Sequence, residues 1–115
     1  NKVYMKEHLH YSYRCNHASK QGGVTMNSQL LGAGKYNFDT APNKQRIHTE
    51  NPDCIMPAKG AVCVARFSDT NLSAAVAYDG CHQQKGKTLC WSFMLESSED
   101  FDELFGRSVE WVMER

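Results

Sequence analysis

The sequence predicts an α+β domain in which an antiparallel meander of strands is closed by a C-terminal helix packed across the sheet. Two observations carry that reading. Three apolar segments, "AVCVARF" (Ala61 to Phe67), "LSAAVAY" (Leu72 to Tyr78) and "TLCWSFML" (Thr88 to Leu95), are separated only by the polar turns "SDTN" and "DGCHQQKGK". Short connections of that kind impose antiparallel pairing. Beyond them, apolar residues recur at spacings of three and four from Phe101 to Val112, the period of a helix with one buried stripe.

The elements follow in order. "VYMKEHLHY" sets Val3, Met5 and Leu9 among charges and predicts a short helix or the end of one. "YSYRC" (Tyr11 to Cys15) alternates aromatics and reads as a strand. "NHASKQGGV" is a polar turn with paired glycines, from which "VTMNS" returns as the second arm of a hairpin. The stretch "LLGAGKYNFDTAPNKQRIHTENPDC" is punctuated by Gly, Asn, Asp and Pro and leaves room for one short strand, Tyr36 to Phe38. An irregular run of that length in a small domain is more often functional than decorative.

The first meander strand is almost continuously apolar and should be buried. The second is small on both faces from Ser73 to Ala77 and admits close packing on either side. The third sets Leu89, Trp91, Phe93 and Leu95 on one face. Ser97 or Ser98 can cap the helix, with Glu99 and Asp100 placed favourably against its dipole. Phe101, Leu104, Phe105, Val109 and Val112 form the expected buried stripe, with Trp111 at its edge and Glu103, Arg107, Glu110 and Glu114 opposite.

A chain of 115 residues suffices for a single domain with a real core. It starts at Asn1 without an initiator Met or a leader, and reads like a piece of a larger protein. The 13 basic and 13 acidic residues are interspersed, which removes the electrostatic footprint of a nucleic-acid or anionic-membrane partner. No apolar run approaches the roughly 18 residues of a membrane span. Cys15, Cys54, Cys63, Cys81 and Cys90 leave at least one thiol unpaired and show neither zinc-knuckle nor CxxC spacing. Mostly reduced, buried thiols are expected, with one disulfide as the alternative.

The order "PDCIMPAKGAVCVARFSDTNLSAAVAYDG…KTLCWSFMLESSEDFDELFGRSVEWVMER" resembles the C-terminal part of the amidotransferase-like domain of Bacteroidetes proteins labelled xanthan lyases. The resemblance rests on Pro52, Asp53 and Pro57; on Ser73 to Ala77; on Ser92 to Glu96; on Val109 to Met113; and on "HYSYRCNHASKQGGV" (His10 to Val24). It covers most of the chain. That family is similar in turn to class I glutamine amidotransferases and trehalose-utilisation-type proteins, so the resemblance implies part of a flavodoxin-like α/β domain. The strands bearing its nucleophile would lie upstream.

An active amidotransferase carries Phe-His-Pro-Glu at its last strand end, where the His activates a Cys and the Glu orients the His. The comparable residues here are Phe93, Met94, Leu95 and Glu96. A thioether neither takes nor gives a proton, so that triad cannot operate, and Glu96 is left as a structural acid or a weak catalytic candidate.

A second candidate is "RCNHAS". Cys15 and His17, two apart on a strand, would share a face as a thiol–imidazole pair. Arg14, Asn16, His17 and Ser19 would form a ligand-touching patch. The plainer reading is a strand end whose Asn16 and Ser19 satisfy turn backbone. His8, His10, His48 and His82 lack carboxylates at ligand spacing, so no metal is expected. "GAGK" (Gly32 to Lys35) lacks the length of a phosphate cradle, so no cofactor is expected. Trp91 with Tyr11, Tyr13, Tyr36 and Phe38 could stack a sugar, or could simply be core.

These observations point to a non-catalytic accessory or ligand-binding portion of a carbohydrate-related, extracytoplasmic bacterial protein. Its partners would be a carbohydrate and the upstream domains. The alternatives are a polysaccharide lyase or hydrolase with catalytic residues here or upstream, and a module that homodimerises through exposed sheet edges.

Overall fold

The computed structural model describes residues 4–40, 48–49, 52–80 and 86–114. A π-helical turn, Met5–Leu9, leads into β1 (Tyr11–Cys15), β2 (Gly23–Ser28), β3 (Gly32–Asn37) and β4 (Cys54–Pro57). After these come β5 (Val62–Phe67), β6 (Ser73–Asp79), β7 (Lys87–Trp91), a 3-10 turn (Leu95–Ser97) and the helix α1 (Phe101–Met113). Five strands form one sheet in the order β3-β2-β5-β6-β7, and β1 with β4 forms a two-stranded ribbon. Every pairing among the described strands is antiparallel. A mostly antiparallel sheet with a C-terminal helix is the α+β arrangement.

The expected meander is present as β5, β6 and β7. β6 is buried from Ser73 to Tyr78, and its alanines leave room for the ribbon, whose β4 packs against it. Val24, Met26, Val64, Phe67 and Leu104 fill the core. Phe38 stacks on Phe93 with centroids 4.4 Å apart, and Phe67 meets the two rings at 6.0 and 6.2 Å. Such ring pairs add about 0.5–1.5 kcal/mol each beyond their buried area.

The sheet curls until both outer strands reach the segment after β7. Asp39 N–H donates to Ser97 O at 2.7 Å, Phe38 bridges Ser98, and Arg107 Nη1 donates to Ala33 O of β3 at 3.0 Å. From the other edge, Trp91 Nε1–H donates to Ser108 Oγ at 3.1 Å and Lys87 Nζ to Trp111 O at 3.0 Å. The helix therefore lies across the sheet and touches both edges.

Several expectations are corrected. β1 and β2 do not form a hairpin. β2 runs between β3 and β5, with Val24 opposite Phe67, and β1 pairs with β4. The cause lies in the polar turn. Asp69, in the β5–β6 turn, accepts hydrogen bonds from Ser19 Oγ (2.8 Å), Lys20 N–H (2.9 Å) and Gln21 N–H (3.2 Å), and Ala18 N–H donates to Pro52 O (2.9 Å). The segment is clamped between distant loops and cannot fold back on β1.

The last meander strand stops at Trp91 rather than Leu95, because Ser92 N–H and Oγ–H both donate to Ala74 O and Phe93 then turns into the core. The short strand expected at Tyr36 to Phe38 begins earlier, at Gly32, and ends at Asn37 as β3, with Phe38 forming an isolated bridge to Ser98.

The helical stripe is rotated. Leu104, Ser108 and Trp111 face inward, whereas Phe105, Val109 and Val112 are 50, 42 and 41% exposed. Asp100, not a serine, holds the N-cap position and makes no side-chain cap bond. Ser98 Oγ instead accepts the Asp100 N–H at 3.1 Å. Val3, Cys81 and His82 lie outside the described residues.

Candidate ligand-binding site

A hollow of about 190 Å³ opens between the ribbon and the end of β7, lined by Met5, Tyr11, Tyr13, Asp53, Ile55, Trp91 and Ser92. Strand alternation sets Tyr11 and Tyr13 on one face of β1. Register places Ile55 opposite Tyr13, and Asp53 immediately precedes β4. Trp91 arrives from β7 with its indole N–H already committed to Ser108. Its ring faces the helix side of the sheet, where it also lines a groove beside α1 and meets Phe93 edge-on at 5.7 Å. Burial pushes the Tyr11 phenol above its ordinary range, and Cys90 and Asp53 push in the same direction. Tyr11 therefore keeps its proton as a donor at neutral pH.

Tyrosine rings beside one carboxylate and several hydroxyls suit a ligand with an apolar ring face and outward hydroxyl donors. The volume is below the roughly 300–1,000 Å³ of a drug-sized site, which suits a single ring rather than a large cofactor. Of the aromatics that could stack a sugar, Tyr11 and Tyr13 meet here and Trp91 only borders the hollow, while Tyr36 and Phe38, each 5% exposed, belong to the core. Asp53 and Ser92 were not legible as members, because their position depends on β1 pairing with β4.

The "RCNHAS" residues do not assemble into one site. The strand ends at Cys15, and His17 adopts a left-handed conformation (φ 56°), so the alternation that would have put their side chains together stops short of the imidazole. Arg14 is exposed, with Nη1 3.7 Å from Met56 Sδ, and Asn16 Oδ1 accepts the His17 N–H at 2.9 Å. Ser19 is buried and structural. Its hydroxyl donates to Asp69 and accepts the Gly22 N–H at 3.1 Å.

At the end of the meander, Met94 is 46% exposed and lines neither this hollow nor the two described next, and Glu96 is exposed on the 3-10 turn. Thr49 ties this corner down: its Oγ1 accepts the Met94 N–H at 3.1 Å and shares a hydrogen bond with Ser97 Oγ at 2.9 Å.

Described residues also line two further hollows. One of about 310 Å³ lies over β2 and β5, lined by Thr25, Asn27, Cys63 and Arg66 among others. The Arg66 guanidinium there is held by Asn71 O at 3.1 Å, and the lining has no aromatic ring. The other, about 400 Å³, is an apolar groove between β7 and α1. Among the described residues, no group of three or more His, Cys, Asp or Glu is placed to hold a metal, and no helix is long and apolar enough to cross a membrane. Compared with family models, curated proteins and solved structures, the chain matches none of them.

Proposed function

We propose that this chain is a non-catalytic, carbohydrate-binding portion of an extracytoplasmic bacterial protein, built on a degenerate amidotransferase-like, flavodoxin-derived domain. The observation that carries the binding reading is the pair Tyr11 and Tyr13 on one face of β1, lining a ring-sized hollow that Asp53 also lines. The non-catalytic reading is supported by Met94, a side chain without a titrating group where the resemblance calls for an imidazole. Titration with neutral and acidic saccharides, followed by tryptophan fluorescence, tests it. Tyr13→Ala, at a half-exposed position, should fold and weaken binding about 2–10-fold, the value of one stacked ring. Absence of binding at millimolar saccharide, or binding indifferent to that change, would refute it. Turnover of a polysaccharide by the purified chain would favour the lyase reading instead.

The groove beside β7 favours homodimer formation as a second reading. β7 ends the strand order, and Leu89, Leu95, Phe105, Val109 and Val112 line the groove together. Light scattering that shows a dimer, dissociated by Val109→Lys, would support it. A monomer at all concentrations would exclude it.

A further inference from the structure

Cys15 and Cys54 are register partners at the end of the β1–β4 ribbon, and an irregularity in the ladder puts them there. Tyr11, Ser12 and Tyr13 pair in step with Pro57, Met56 and Ile55; continued, that step would set Cys15 against Asp53. Arg14 is an extra residue in β1, a bulge that turns Cys15 onto the face of Cys54. Directly opposed residues on antiparallel strands have Cβ atoms about 4.5–5.5 Å apart, and a disulfide needs about 3.5–4.5 Å. A small local adjustment closes the difference. The two sulfurs already lie within hydrogen-bonding reach, and both residues are thiols in this structure.

Their surroundings differ. Cys54 is wholly buried, with the Ser73 N–H directed at its sulfur, whereas Cys15 is only partly buried. Burial, and then the neighbouring Cys15, push the Cys54 thiol above its ordinary range. The other described cysteines have no such partner. Cys63 and Cys90 flank Val76 from opposite sides, two strand spacings or about 9–10 Å apart, beyond the roughly 7 Å limit for a bridge.

We infer that Cys15 and Cys54 form a reversible disulfide by exchange with a small-molecule disulfide, Cys15 reacting first and Cys54 resolving. Cys15 loses its proton to solvent and its thiolate attacks one sulfur of the external disulfide. That S–S bond breaks, and one thiolate leaves with the electron pair. Cys54, deprotonated in turn, attacks the Cys15 sulfur and expels the second thiolate. Two protein thiols are oxidised to one disulfide, and one external disulfide is reduced to two thiols.

The test incubates the folded chain with glutathione disulfide, blocks the remaining thiols after unfolding, and maps the peptides by mass spectrometry. The expected product is one crosslink joining the Cys15 and Cys54 peptides, lighter by two hydrogens and reversed by dithiothreitol, with Cys63 and Cys90 still blockable. Both partners remaining blockable at equilibrium, or either one crosslinked elsewhere, would overturn the assignment. Acid-quenched wild-type samples, which need no variant to fold, should carry glutathione on Cys15 and not on Cys54. Cys54→Ala should accumulate that adduct, while Cys15→Ala should react roughly tenfold slower or less, since buried Cys54 then needs a local opening. Comparable adducts on Cys54 would overturn the order of attack.

Discussion

The indole N–H of Trp91 donates to the hydroxyl of Ser108 at 3.1 Å, joining the last strand to the middle of the helix. Ser108 Oγ–H in turn donates to Leu104 O at 2.8 Å, so both groups are satisfied in a largely buried setting. Ser108→Ala should destabilise the protein by about 1–3 kcal/mol, because it leaves a donor without a partner. A urea melt of wild type and variant measures it, and an unchanged midpoint would show that the indole finds water instead.

The rotation of the helix makes two apolar residues unequal. Leu104 is fully buried and Val109 is 42% exposed. Leu104→Ala should cost about 2–5 kcal/mol, and Val109→Ala no more than about 0.5 kcal/mol if the groove stays open to solvent. Equal losses in parallel denaturation curves would mean that the groove is covered.

Gly22 sits at φ +75°, and a Cβ there would strike the Phe38 carbonyl oxygen, at a tight crossing where Phe38 N–H donates to Gly22 O at 2.7 Å. Gly22→Ala should lose about 1–2 kcal/mol to backbone strain and more to the displaced end of β3. Calorimetry should show a clear fall in Tm, whereas an unchanged Tm would contradict the crossing.

Asp69 contributes to stability on the acid side. Burial alone would raise its pKa, but the bonds from Lys20 N–H, Ser19 Oγ–H and Gln21 N–H outweigh it and hold the carboxyl below its usual range. The unfolded chain then binds the proton more tightly than the folded one. The contribution is therefore complete above the unfolded value of about 3.9 and is lost as pH falls through the lower folded value. Asp69→Asn should flatten the acid limb of a stability–pH profile, and an unaltered limb would assign it to other carboxylates.

Local signals carried most of the α+β reading. Apolar runs with short polar turns specify β5, β6 and β7, and helical periodicity specifies α1. What escaped was decided at long range. Nothing near "YSYRC" says that its partner is "CIMP", some 40 residues away, and the turn that seemed to close a hairpin is claimed by Asp69 instead. The helix stripe misled because a serine can point inward when a distant indole answers it. The aromatic members of the hollow were visible as aromatics. Asp53, and the pairing of Cys15 with Cys54, depended on a ladder that sequence spacing does not encode.

The β1–β4 ribbon shares no ladder with the five-stranded sheet, yet it supplies one wall of the hollow. Two strands alone are marginal in water, so side-chain docking on β6 keeps the ribbon in place. Its amides should exchange deuterium through openings that leave the larger sheet shut. A molecule seated against Tyr11 and Tyr13 would slow that exchange in proportion to its affinity, making the ribbon's own order a gauge of occupancy.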